Sequence, residues 1–467
     1  MNKNPHREQY FTLAKNQLSR LFSRMDREKI SKTFGSFDRT FWSWKFTDFS
    51  GSRFQESLYV ASWFYNFKKT KNEYYKSKTL LNWIEGGLNF WVSLQHKDGS
   101  FDEAYPYERS LAATAFTSFY IGEAYLLLKD ELNLEIKNIV LNSLLRSGDW
   151  LCHNSEKHGI LTNHIAAAAA SLIILWKISN KSKYLERANF FLNIIYSHQN
   201  SEGWYEEYGG ADIGYQSHGC FYLARIWTIT KDKKLLASLR SSIKFFKYFV
   251  HPNGTIGGEY GSRNTTFYFP AAFEILASVS NEARSIAKFM RASIFSDNSV
   301  GLNTVDAYNF SPMINNYIFA YEYSKNLNTN FELPFQKNGI FKFRNAGIFI
   351  ISKPRYYAIF SSSKGGVLKV FSKVNRSKTF SNCGYWGALN KNEIITSQSF
   401  SLNHKFFINK NIFKVRVPFV KINQKTMNPW LFICFRIFSL TVGRNKFISQ
   451  KLKNLLVKVL INNNKNI

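Results

Sequence analysis

Between residues 34 and 330 the chain alternates two kinds of helical segment. One kind is apolar on nearly every face, as at 110–128, 165–176 and 219–229, the pattern of a helix covered on most sides. The other keeps apolar residues three and four apart with Lys, Asn and Glu between them, as at 74–94, 135–151, 183–197 and 233–249. A glycine-containing turn precedes each apolar segment: FGSF at Gly35, DGSF at Gly99, HGIL at Gly159, EGWY at Gly203, NGTI at Gly254 and VGLN at Gly301. The turns lie 44 to 64 residues apart, enough for two helices of about 15 to 20 residues and their connections. Six helical hairpins follow, with the apolar helices inside and the amphipathic ones outside. Because every glycine loop joins an outer helix to the next inner one, the six loops must emerge at one end.

After Pro334 the pattern changes to short runs rich in Phe, Ile, Val and Tyr, at 347–351, 356–360 and 367–374, with turns at Lys353-Pro354 and Gly365-Gly366. The predicted fold class is therefore an α+β multidomain protein. Its parts are an N-terminal helical extension (1–33), an incomplete (α/α)6 toroid (34–330) and a strongly basic, β-rich C-terminal domain (331–467), an antiparallel β-sandwich of reduced size. The stretch 448–461 fits a basic amphipathic helix or an edge strand.

With 467 residues, 45% hydrophobic and 17% aromatic, the chain has ample core material, and disorder is excluded. The formal charge is +30, and from Gly339 onward 23 Lys or Arg face one acid, Glu393. Such a segment attracts an acidic polymer or an anionic membrane surface, so peripheral membrane contact through the basic C-terminus is one expectation. A compositional drift toward Lys, Asn, Ile and Phe explains the same numbers. No nucleic-acid motif accompanies the charge, so nucleic acid is not an expected partner. Cys152, Cys220, Cys383 and Cys434 are far apart without CxxC spacing, which indicates neither a disulfide framework nor a structural metal site. No cofactor is expected. The polar N-terminus lacks a secretory signal, so a cytoplasmic location is expected, with the periplasm as the alternative. The apolar stretches 165–176 and 430–442 are shorter than the roughly 20 residues that span a bilayer, and no transmembrane helix is predicted.

The predicted loops collect polar residues. LTNHIAAAAA sets Asn163 and His164 at the mouth of an apolar helix, where Asn also reads as an N-cap. The next loop places Tyr215 and His218 one turn apart at the start of the following inner helix. The fifth offers Glu259, Tyr260, Arg263 and Asn264 among glycines that also serve turn geometry. Removing a proton next to a carboxylate requires a group that neutralises the carboxylate, which Asn, His or Arg can provide. It also requires a base at the carbon and an acid at the leaving oxygen, roles open to Tyr and His. A helix N-terminus with Arg263 or His218 nearby is expected to lower the Tyr215 pKa. Hydrolysis would instead need two facing carboxylates, for which Asp102, Glu103, Glu207 and Asp212 are available.

The stretches FGSFDRTFWSWKFTDF, DGSFDEAYPYERSLAATAF, LTNHIAAAAA, EEYGGADIGYQSHGCFYLA and GGEYGSRNTTFYFPAAFE resemble the heparinase II/III-like family of polysaccharide lyases. The resemblance covers about residues 34–390, and its most specific parts are the Asn-His pair and GYQS. It implies an α/α toroid followed by an antiparallel β-sandwich, and a carbon–oxygen lyase cleaving a uronate-containing polysaccharide by β-elimination. It implies that Asn163 and His164 contact the uronate carboxylate and help ionise the adjacent carbon, and that Tyr215 is base or acid. His218 and Arg263 support them with weaker correspondence, and Asn264, Tyr260, Glu103, Arg109 and Trp44 complete the candidate substrate-binding residues. Family members are normally exported. A uronyl C5-epimerase, which begins with the same proton abstraction, and a non-catalytic glycan-binding protein are the alternatives.

Overall fold

The computed structural model describes residues 5–451 apart from 158, 327, 391–392, 410–411, 423–427 and 450. Two N-terminal helices, α1 (Pro5–Asn16) and α2 (Leu18–Ser23), and a single turn, α3 (Arg39–Trp42), lead into α4 (Ser57–Asn66) and α5 (Lys78–Ser93). The alternation then continues through α6 (Leu111–Leu128), α7 (Leu134–His153), α8 (Thr162–Ser179), α9 (Ser182–Ser197), α10 (Ile213–Thr230) and α11 (Lys233–Phe246). It ends with α12 (Ala271–Leu276), α13 (Asn281–Phe295) and α14 (Ala307–Tyr323).

The apolar segments pack on one another in sequence: α4 on α6, α6 on α8, α8 on α10, α10 on α12, α12 on α14, and α14 back on α4. Each carries one amphipathic partner outside: α5 on α4, α7 on α6, α9 on α8, α11 on α10 and α13 on α12. The partner of α14 is α1, whose Tyr10 and Phe11 are buried. Residues expected to form an extension thus supply the sixth outer helix. The division of labour follows from the side chains. Helix α11 buries Leu235, Leu239, Ile243 and Phe246 along one stripe and turns Lys233, Lys234 and Lys244 outward. Helix α6 is long and apolar enough to cross a membrane, but 89% of that span is buried among its neighbours.

Five of the six turn glycines adopt positive φ, and at Gly99 (φ +95) an added Cβ would lie 2.2 Å from the Arg146 carbonyl oxygen of α7. Only glycine allows that approach. Gln95 locks the same turn, its Nε2 donating to the carbonyls of Gly99 and Ser143. Gln199 does the same with Gly203 and Ser238. The repeat of layout is therefore also a repeat of hydrogen bonds.

The C-terminal part begins with an antiparallel meander, β1 (Gly339–Phe343), β2 (Ile348–Ser352), β3 (Tyr356–Ser361), β4 (Val367–Ser372) and β5 (Thr379–Asn382), paired in that order. Period-two alternation divides its faces. Ile348, Ile350, Tyr357, Ile359 and Phe371 join the core shared with the helices. Phe349 and Phe360 point the other way. The remaining strands are β6 (Trp386–Asn390) and β7 (Glu393–Thr396), the hairpin β8 (Lys405–Asn409) and β9 (Ile412–Arg416), and β10 (Val420–Lys421), which pairs with β7. Phe406 and Phe413 of the hairpin meet Phe349 and Phe360 at ring separations of 5.0 and 5.7 Å. The meander is fastened to the helices by Tyr357, whose hydroxyl donates to the Tyr248 carbonyl (2.6 Å), and by the Lys369–Glu259 ion pair (2.8 Å). The apolar stretch at 430–442 becomes α15 (Pro429–Leu440). The expected amphipathic helix or edge strand at 448–461 lies, from residue 452, outside the described residues.

Candidate active site

A cavity of about 610 Å³ opens where the inner helices begin, and every one of the six loop-to-helix junctions contributes to its wall. Arg53 comes from the turn before α4, Glu103 and Ser110 from the loop before α6, and Asn163 and His164 from the first turn of α8. Tyr208, Tyr215 and His218 come from the entry to α10, Arg263 from the loop before α12, and Tyr308 from the first turn of α14. Residues up to 256 positions apart, Arg53 and Asn309, are thereby placed around one space.

Asn163 is not an N-cap. Leu161 holds that position and its side chain caps nothing, while the cap is supplied by Glu207 from the next loop. The Glu207 carboxylate accepts both the backbone N–H (2.7 Å) and the Nδ2–H (3.0 Å) of Asn163, fixing the amide's orientation. Glu207 is fully buried, and burial pushes its pKa well up although the Asn163 donors oppose the shift. Placing an acceptor at a helix N-terminus offsets part of that penalty. His164 next door pairs its Nδ1 with Glu156 (2.9 Å). If Nδ1–H donates to this carboxylate, Nε2 is the ring nitrogen left for the cavity.

Tyr215 packs edge-on against Phe267 at 5.4 Å and lies 5.9 Å from the ring of Tyr208. Burial raises its pKa, and the opposing pull of Arg263 does not reverse this. The expected lowering is therefore not found: desolvation outweighs the cation. Tyr208, pushed up to about 12 by burial, has the Arg263 guanidinium 4.3 Å above its ring. His218 is stacked between Phe269 (4.2 Å) and Phe116 (5.5 Å), with Nε2 against the Tyr222 hydroxyl at 3.1 Å. Burial, aided by Arg53 and His164, lowers its pKa well below the ordinary value, so it is neutral and supplies no cation to Tyr215.

Arg53 is the buried, ion-paired cation of the cavity wall. It is paired with Glu56 (2.9 Å) and Glu103 (3.1 Å) and lies 4.6 Å over Phe116. Burial acts against its charged form, but the two carboxylates keep its pKa above the usual arginine value. Burial likewise opposes ionisation of Glu103, and Arg53 overrides it, so the Glu103 pKa falls below the usual range. Burial pushes Glu56 up to about 7.

Four expected binding residues lie outside the cavity wall. Tyr260 is fully buried, its hydroxyl 2.8 Å from His251 Nε2. Arg109 turns toward Asp98 (3.4 Å) and donates to the Arg444 carbonyl (2.9 Å). Trp44 is 57% exposed and stacks on Phe46. Asn264 occupies an exposed left-handed turn position (φ +61) beside Arg263. Among the four carboxylates considered for hydrolysis, only Glu103 lines the cavity. Asp212 caps α10 and receives the Arg263 N–H, and Asp102 accepts the N–H groups of Tyr107 and Arg109. Arg53, Glu156 and Tyr208 were not singled out from the sequence. Arg53 sits three residues before Glu56 in a short, mostly buried turn, a pairing the chain does disclose. Among the described residues no three His, Cys, Asp or Glu side chains converge on a metal-sized point.

Paired helices are arranged in a cycle with a polar and aromatic cavity at one end, and antiparallel sheets follow them in the chain. Residues 47–269 match the family profile of the ulvan lyase N-terminal domain. Among solved structures, the chain is similar to the Paenibacillus xanthan lyase, with TM-score 0.55, 10% identity, and coverage of 90% of this chain and 45% of that one. It is also similar to the Streptomyces coelicolor A3 chondroitin AC lyase in complex with chondroitin sulphate, with TM-score 0.57, 11% identity, and coverage of 80% and 55%. A sugar epimerase from a ruminal bacterium gives TM-score 0.50 at 10% identity, covering 68% of this chain and 97% of that one. The chain thus spans about half the length of the two lyases. No curated protein sequence matches it.

Proposed function

We propose that the chain is an (α/α)6 toroid enzyme of heparinase II/III-like type that cleaves an acidic, uronate-containing polysaccharide by β-elimination. The observation that carries this reading is the single cavity at which all six junctions meet, bringing together Asn163, His164, Tyr215 and Arg263. The ulvan lyase profile and the fold shared with lyases of xanthan and chondroitin support it. In this reading the Asn163 amide, oriented by Glu207, and the Arg263 guanidinium neutralise the uronate carboxylate, so that charge can develop on it. His164 Nε2 takes the C5 proton, its ring held by Glu156. The electron pair forms the C4–C5 double bond, the C4–oxygen bond breaks, and Tyr215, kept protonated by burial, gives its proton to the leaving oxygen.

The test is a screen of uronate-containing polymers, chondroitin sulphate, xanthan and ulvan among them, for the ultraviolet absorbance of an unsaturated uronate. The expected result is absorbance with at least one polymer that disappears in Asn163→Ala and His164→Gln. Inversion at C5 without that absorbance would establish an epimerase, and binding without either product a non-catalytic glycan-binding protein.

A further inference from the structure

Among the described residues, helix α15 is docked by one side only. Phe435 meets Tyr105 edge-on at 5.1 Å, and Arg436 pairs with Asp48 at 3.1 Å while lying 5.5 Å over Phe49. These contacts tie α15 to the loop that carries Trp44 and Phe46. The opposite side of the helix is exposed and apolar: Trp430 is 76% and Ile437 58% exposed, with Leu431 and Ile433 between them. On the adjoining loop Phe46 is 82% exposed and stacked with Trp44, and Lys45 stands exposed between them. Arg444 and Lys446, both exposed, follow the helix, and the chain after Gly339 holds a single acid. Exposed apolar side chains scattered singly are ordinary on a soluble surface, whereas several on one helix face and its adjoining loop mark an interaction site.

We propose that α15 and the Trp44–Phe46 loop form a docking surface for an anionic lipid bilayer. Sugars stack on aromatic faces, but Leu431, Ile433 and Ile437 offer them neither a plane nor a hydrogen bond, so a glycan accounts for only part of the patch. A second copy would bring +30 against +30, and basic residues flank the patch. Acyl chains suit the aliphatic face, anionic headgroups suit the flanking cations, and tryptophan favours the boundary between them. With 12 residues α15 is about 18 Å long, too short to span a bilayer core of about 30 Å, so it lies in the interface. The surface stands independently of the activity proposed above.

The experiment is co-sedimentation of the full chain with phosphatidylcholine vesicles with and without phosphatidylglycerol. Binding is expected only with phosphatidylglycerol, reduced about tenfold or more by Ile433→Asp and by the separate double substitution Trp44→Ser/Phe46→Ser. Leu134→Asp, at an exposed apolar position on α7, should leave it unchanged, and circular dichroism confirms that each variant is folded. Failure to sediment with the anionic vesicles overturns the proposal, as does an equal loss in Leu134→Asp. So does a solution dimer dissociated by Ile433→Asp, or chondroitin sulphate binding lost in that variant without any vesicle binding.

Discussion

At the residue scale the decisive contact is Glu207 with Asn163. The sequence suggests that Asn163 is a loop or cap side chain whose removal would leave stability nearly unchanged. In the structure its removal strips one donor from a fully buried carboxylate that has no ion-pair partner among the described residues. Asn163→Ala should therefore abolish most turnover and also lower the unfolding free energy by about 1–3 kcal/mol, measured by denaturant titration. Tyr215→Phe keeps the ring contact with Phe267 and should preserve the fold, while turnover falls by about a hundredfold or more. Because burial raises the Tyr215 pKa above the usual 10.0, the alkaline limb it imposes on kcat/KM should lie above pH 10. An alkaline limb near pH 8 that disappears in the Phe variant would contradict its role as the acid.

At the scale of elements, the turn glycines separate two costs. At Gly159 (φ +109) an added Cβ meets nothing within 4 Å, so Ala adds backbone strain alone. At Gly99 it also overlaps the α7 backbone, and Gly99→Ala should be the more destabilising by about 1–3 kcal/mol, read from paired thermal melts. Glu274 of α12 gives a pH prediction. It pairs with Arg291 (3.1 Å) and accepts from Tyr10 of α1 (3.0 Å), and burial nevertheless pushes it up to about 7 from 4.5. A carboxyl raised on folding stabilises fully below about pH 4.5 and loses that contribution as pH rises through about 7. Glu274→Gln should remove this decline, so the difference in melting temperature between variant and wild type should move in the variant's favour across that interval.

The elements themselves were legible because periodicity is local. The segment read at 183–197 became Ser182–Ser197, and 356–360 became Tyr356–Ser361. Asn163, His164 and Tyr215 were legible as polar residues at the head of apolar helices. What escaped depends on distant partners: Glu207 reaches its role across 44 residues, and the Tyr215 pKa is set by burial that no spacing reveals. Trp44 and Arg109 sit in the loops that carry the resemblance, but their side chains turn outward or toward the C-terminal segment.

For the whole molecule the charge asymmetry matters most. If the basic C-terminal part guides an anionic glycan, association should weaken steeply between low and physiological salt, because exposed charges are screened over roughly 8 to 10 Å. Salt-independent association would leave compositional drift as the explanation of that charge.

The pairing of α1 with α14 has a consequence for the order of events in folding. Arg7 Nε donates to the Tyr321 carbonyl across 314 residues, and Tyr10 meets Glu274 across 264. Helix α1 is thus made long before α12 and α14, and at about 5–20 residues per second Tyr10 waits tens of seconds for Glu274, Phe295 and Tyr317. Contacts so far apart in the chain make closure the slow, entropically demanding step, whereas α6 through α11 can assemble pair by pair as they emerge. A nascent chain stalled before α14 is synthesised should hold a protected middle and a labile N-terminus, and should depend on chaperones until the last inner helix arrives.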